Sequence, residues 1–117
     1  MAEHKQFSQG ELAHFEISGP DGTALRNFYE SVLGWSVEEK GPGFSLVRTA
    51  GAGPDGAFVE APEPAMNVGF TVADLSAAVA KAEASGGAVV MPVTDNGWVK
   101  KAKVRDVAGN TITLIEM

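Results

Sequence analysis

The chain contains no cysteine. Disulfides, thiolate metal sites and a cysteine nucleophile are excluded, and cysteine usage leaves the redox compartment undecided. No apolar run approaches the roughly 20 residues of a membrane span. Residues 1–9 are polar and lack the apolar stretch of a signal peptide. A cytoplasmic location with no membrane partner is therefore expected. Basic residues are scarce: nine Lys and Arg stand against fifteen Asp and Glu, for a net charge of −6. That balance argues against nucleic acid and anionic membranes as partners. The basic residues nevertheless gather at Lys100, Lys101, Lys103 and Arg105. Same-sign residues alternating along a strand form either a solvated face or a patch for an anionic ligand. No serine lies in a nucleophile-elbow context, and the glycine patterns G-x-G-x-x-G and G-x-x-x-x-G-K-[ST] are absent.

What is present suffices for a core. The chain has 117 residues, 44% of them apolar, the size and composition of one globular domain. Residues 12–18 alternate, with Ala13, Phe15 and Ile17 on one face and His14, Glu16 and Ser18 on the other, a strand pattern. Gly19-Pro20-Asp21-Gly22 breaks it, and Asp21 or Thr23 can cap a following helix. Leu25, Phe28, Tyr29, Val32 and Leu33 recur at helical spacing over 24–33, and Gly34 ends that helix. Residues 35–39, 44–49 and 57–60 read as strands. Pro62 and Pro64 mark a linker. The pattern then recurs. A strand over 67–72 precedes a helix over 75–85 capped by Asp74 and ended by Gly86-Gly87. Strands follow over 88–93, 98–105 and 111–116.

A shift of 53 residues carries His14 onto Asn67, Asp21 onto Asp74, Gly34 onto Gly87, Gly56 onto Gly109 and Glu60 onto Thr113. One unit, βαβββ, is thus used twice, over about residues 11–61 and 66–117 of a single domain. The expected class is α+β, with the two repeats forming a curved mixed sheet around a cleft.

The stretch His14-Phe15-Glu16-Ile17, the helix end Phe28-Tyr29-Glu30-Ser31-Val32-Leu33-Gly34-Trp35 and the turn Asp106-Val107-Ala108-Gly109-Asn110 resemble the vicinal oxygen chelate superfamily, the glyoxalase, bleomycin-resistance and dioxygenase group. The resemblance runs from about Glu11 to Met117, with Val107 where that family usually has proline. It implies four His or Glu metal ligands, one on the first and one on the last strand of each unit. A divalent ion held there would polarise substrate oxygens. In this chain those positions read His14, Glu60, Asn67 and Thr113. The first pair is intact in type, whereas Asn67 and Thr113 are weak donors, and catalytic ions normally keep three or more protein ligands.

Each candidate also has a simpler reading. His14 can be a hydrogen-bonded, partly solvated residue, a ligand contact or a metal ligand. Glu60 can face solvent, and Asn67 and Thr113 can line a pocket. Phe44 after Gly43 and Trp98 after Gly97 are either packing residues or walls for a planar ligand. Tyr29 and Trp35 belong to the core. His14, Glu16 and Glu60 have the residue types for proton transfer. Two functions from different classes follow. One is a metal-independent binding protein of the bleomycin-resistance type. It takes a small planar or aromatic ligand between Phe44 and Trp98, with His14, Glu16, Asn67 and Thr113 as polar contacts and no cofactor. The other is a metal-dependent lyase, isomerase or dioxygenase using His14 and Glu60. A third possibility fills the cleft with a loop of a dimer partner. The family implies a homodimer, and open sheet edges point the same way.

Overall fold

Alternation, caps and glycine stops translate into ten elements in a computed structural model that describes residues 7–117. They are β1 (Leu12–Gly19), α1 (Gly22–Leu33), β2 (Ser36–Gly41), β3 (Phe44–Arg48), β4 (Asp55–Glu60), β5 (Ala65–Val72), α2 (Leu75–Ala84), β6 (Ala88–Asp95), β7 (Lys100–Arg105) and β8 (Thr111–Glu116). The order is βαβββ twice, and the class is α+β. The chain divides into two compact units, His14–Asn67 and the described residues outside that span.

In the first unit the strands run β2-β3-β4-β1, with β1 and β4 parallel and the other pairs antiparallel. Helix α1 covers one face. Ile17, Val47 and Phe58 are buried beneath it, with Phe15, Leu25, Tyr29, Trp35 and Val37 packed around them. The Tyr29 and Trp35 rings stack at 5.2 Å with 10° between their planes, so the F-Y-x-x-x-x-G-W pattern builds a core corner. Gly34 ends α1 in the left-handed conformation, φ 70°, its N–H donating to the Glu30 carbonyl. In the second unit the order is β5-β8-β7-β6, with β5 and β8 parallel. Val72, Leu75, Ala102, Val104 and Leu114 are buried against α2. Full burial of a side chain such as Phe58 or Leu75 contributes roughly 1.5–3 kcal/mol.

Strand pairing corrects the constant offset expected from sequence. Ile17 lies opposite Phe58 in the first unit, and Phe70 opposite Leu114 in the second. Ile17 to Phe70 is 53 residues, but Phe58 to Leu114 is 56. The added length lies in the β6–β7 hairpin. Val37 pairs with Val47 and Val89 with Val104, so β2 and β6 are offset by 52 but β3 and β7 by 57. This longer hairpin carries two register irregularities. Two of the equivalences expected from sequence fall with the offset. Gly56 is not a turn glycine. It lies within β4, where a Cβ would sit 2.5 Å from the Phe15 ring, whereas Gly109 is a turn residue at φ 97°. Phe44 matches Lys101 in register, not Trp98.

Candidate functional site

Each helix starts under two carboxylates. Asp21 accepts from the Ala24 N–H of α1 at 3.0 Å, and Asp74 from the Ala77 N–H of α2 at 3.1 Å. These are ordinary N-caps that satisfy donors of the first turn. The second carboxylate comes from the last strand of each unit. Glu60 accepts from the Gly22 N–H at 3.0 Å, and Glu116 from the Leu75 N–H at 2.9 Å. Glu116 also pairs with Lys100 at 3.2 Å. The Leu75 N–H, and then Lys100, hold the Glu116 carboxyl below the ordinary carboxylate range. Glu60 and Glu116 are thus counterparts, 56 residues apart, and both serve the positive end of a helix. Asp21 to Glu60 is 39 residues and Asp74 to Glu116 is 42, the same pairing lengthened by three, which a fixed offset of 53 conceals.

This geometry decides the metal set. Along β1, Phe15 and Ile17 point to α1, so His14 and Glu16 leave the opposite face. Glu60 follows Phe58 by two residues and points to α1. The expectation that His14 and Glu60 share an ion therefore fails: the two side chains depart from opposite faces of one sheet. The first-unit residue matching Thr113 is Ala57, opposite Glu16 in register. The four positions then read His14, Ala57, Asn67 and Thr113, which do not fit a divalent ion. Among the described residues no group of three or more His, Cys, Asp or Glu is arranged to hold one.

His14 and Glu16 are half-buried on the helix-free face of the first unit. Asn67 is half-buried near the start of β5, in phase with Gly69 and Thr71 on the helix-free side. Thr113 lies on β8 opposite Gly69, also away from α2, and is only 3% exposed. Phe44 begins β3 opposite Val59, one residue out of phase with the core residue Phe58, so its side chain leaves the helix-free face. The start of β3 also borders a polar pocket of about 220 Å³ on the α1 side, with Arg26, Asn27, Glu30, Glu39 and Glu60. Trp98 sits in the turn of the β6–β7 hairpin and is 82% exposed, so it is not a core residue. It borders an open pocket of about 350 Å³ with Asp95, Lys100 and Glu116. The Asp106–Asn110 turn proves structural. Asp106 accepts from the Ala108 and Asn110 N–H groups, each at 2.9 Å, and from the Asn110 side chain at 3.0 Å. The Asn110 side-chain bond leads the contacts that lower its pKa.

A duplicated βαβββ unit with a helix on one face and half-buried polar residues on the other defines a glyoxalase-type domain. Residues 11–114 match the family model of the Glyoxalase/Bleomycin resistance protein/Dioxygenase superfamily, and the chain belongs to that superfamily. Solved structures agree in fold. Methylmalonyl-CoA epimerase from Mycobacterium tuberculosis is 19% identical, with TM-score 0.69, over 97% of this chain and 93% of its own. A superfamily member from Vibrio splendidus 12B01 is 16% identical, with TM-score 0.70, over 93% of this chain and 100% of its own. The 2,3-dioxygenase LapB from Pseudomonas sp. KL28 is 20% identical, with TM-score 0.69, over 92% of this chain and 42% of its own. No curated protein matches in sequence.

Proposed function

We propose that this chain is a metal-independent, small-molecule-binding member of the superfamily, of the bleomycin-resistance type. The observation that carries this reading is the polar lining of its helix-free strand faces. His14 and Glu16 in one unit and Thr113 in the other are withdrawn from solvent on faces that no helix of their own unit covers. Side chains of this kind on rigid strands suit ligand recognition.

Thermal-shift screening of a mixed library of neutral and charged planar compounds tests the proposal. A ligand present at 100 times its Kd stabilises by about 2.7 kcal/mol. We expect hits whose binding weakens about tenfold in His14→Ala or Glu16→Ala, on the scale of one lost polar contact to a ligand. A library that yields no ligand perturbing the amides of β1 or of β8 in NMR spectra would overturn the reading.

We further propose that the chain works as a homodimer. Sheet edges are poor candidates for the contact. The outer strand β2 carries Glu38, Glu39 and Lys40, and the outer strand β6 carries Pro92 and its irregularities. Phe28, Val32 and Leu33 on α1 are more than half exposed and offer an apolar alternative.

A further inference from the structure

The lengthened β6–β7 hairpin turns through Asp95-Asn96-Gly97-Trp98-Val99. Asp95, Asn96, Gly97 and Trp98 are exposed, and Asn96-Gly97 is the only asparagine–glycine pair in the sequence. At such a pair a chain can react with itself. The next backbone nitrogen lies near the side-chain carbonyl carbon, and glycine has no Cβ to obstruct the approach. A Cβ on Gly97 would meet nothing within 4 Å, so the site is also open to water.

The hydrogen bonds of this turn supply the groups that such a reaction uses. The Gly97 N–H donates to Asp95 Oδ1 at 2.9 Å. That contact places a carboxylate on the proton that must leave as the nitrogen attacks. Asn96 Oδ1 accepts from the Trp98 N–H at 3.2 Å and from the Val99 N–H at 3.0 Å. Both partners are donors, which identifies this atom as the oxygen of the amide and not its nitrogen. Two backbone donors on one carbonyl oxygen draw charge from its carbon, and they hold the anion that forms when that carbon becomes tetrahedral. The Asn96 N–H donates to the Val99 carbonyl at 3.2 Å and closes the turn around this arrangement. Asn110 provides the contrast. It too is exposed, but it precedes the β-branched Thr111, and its Nδ2 donates to Asp106 at 3.0 Å.

We propose that Asn96 is a site of intramolecular deamidation, promoted by the Asp95 carboxylate and by the Trp98 and Val99 amides. The Gly97 nitrogen gives its proton to Asp95 and forms a bond to Asn96 Cγ. The Cγ–Nδ2 bond then breaks, and the Nδ2 group takes that proton and leaves as ammonia. A cyclic succinimide remains. Water opens it at either carbonyl and gives aspartate or isoaspartate. The sum converts asparagine and water into aspartate and ammonia, with no change of oxidation state. Either product puts a second carboxylate beside Asp95. The isoaspartyl product also adds a carbon to the main chain, which breaks the bonds that hold Trp98 and Val99 in the turn.

The test incubates the full chain at neutral pH, folded in buffer and unfolded in guanidinium chloride, and follows both by peptide mass mapping. We expect Asn96 to gain the mass of –NH₂ replaced by –OH, faster in the folded chain than in the unfolded one. Asn110 should keep its amide over the same period. Asp95→Ala should slow the folded-state reaction by about tenfold or more. It should leave the rate in denaturant nearly unchanged, which separates a base held by the turn from an effect of sequence alone. In ¹⁵N spectra of the aged chain, the Gly97, Trp98 and Val99 amides should shift while those of β1 and α1 stay in place. A folded chain that loses the Asn96 amide no faster than the unfolded one would overturn the proposal. So would an Asp95→Ala variant that ages at the parent rate.

Discussion

At the residue scale, the carboxylates at the helix starts explain more of this chain than any candidate catalytic group. Glu116 accepts from the Leu75 N–H and pairs with Lys100. Its pKa is lowered in the folded chain from an ordinary value of 4.5. A depressed carboxyl pKa contributes stability above the unfolded value, and that stability is lost as pH falls through the folded value. Glu116→Gln should therefore be less stable than the parent at neutral pH. The gap should close as pH drops below about 4.5, read by urea unfolding at a series of pH values. A gap that widens in acid would contradict this role. Glu60 has the matching geometry on α1, although in sequence it reads as one of the four metal positions or as a solvent-facing acid.

At the element scale, both helices were legible because capping and stopping are local. Asp21 and Asp74 cap as expected, although α1 begins at Gly22, two residues before its apolar periodicity. Gly34→Ala should cost about 1 kcal/mol, since a side chain must then adopt the left-handed conformation with nothing pressing on it. Gly87→Ala should cost more. Its Cβ would meet the Arg105 carbonyl oxygen of β7 and lie 3.0 Å from that of Ala82. Backbone cannot move aside as a side-chain end can. Denaturant midpoints of the two variants rank the effects, and an equal loss would refute the close approach. Here the expected equivalence of Gly34 and Gly87 divides. Gly86, at φ 98°, takes the left-handed position after α2, and Gly87 is needed for clearance.

At the scale of the whole molecule, the family and the fold agree. No helix among the described residues is long and apolar enough to cross a membrane. For the proposed homodimer, light scattering at micromolar concentration should give about twice the 12.2 kDa of one chain. Phe28→Glu with Val32→Glu should return it to one chain while leaving the helical signal in place. A monomeric parent would refute the pairing.

The sequence by itself determined the α+β class, the two βαβββ units, their caps and the superfamily. Those depend on periodicity and on short-range rules that a few neighbouring residues satisfy. Only the tertiary structure decided which residues are equivalent between the units and which face each one uses. Alternation along a strand survives any insertion, but register against the neighbouring strand is set by hairpin length and core packing. The lengthened β6–β7 hairpin moved the last strands from an offset of 53 to one of 56. That shift sends Glu60 to the helix and puts Ala57 at the position matching Thr113. It places His14 and Glu60 on opposite faces of the sheet.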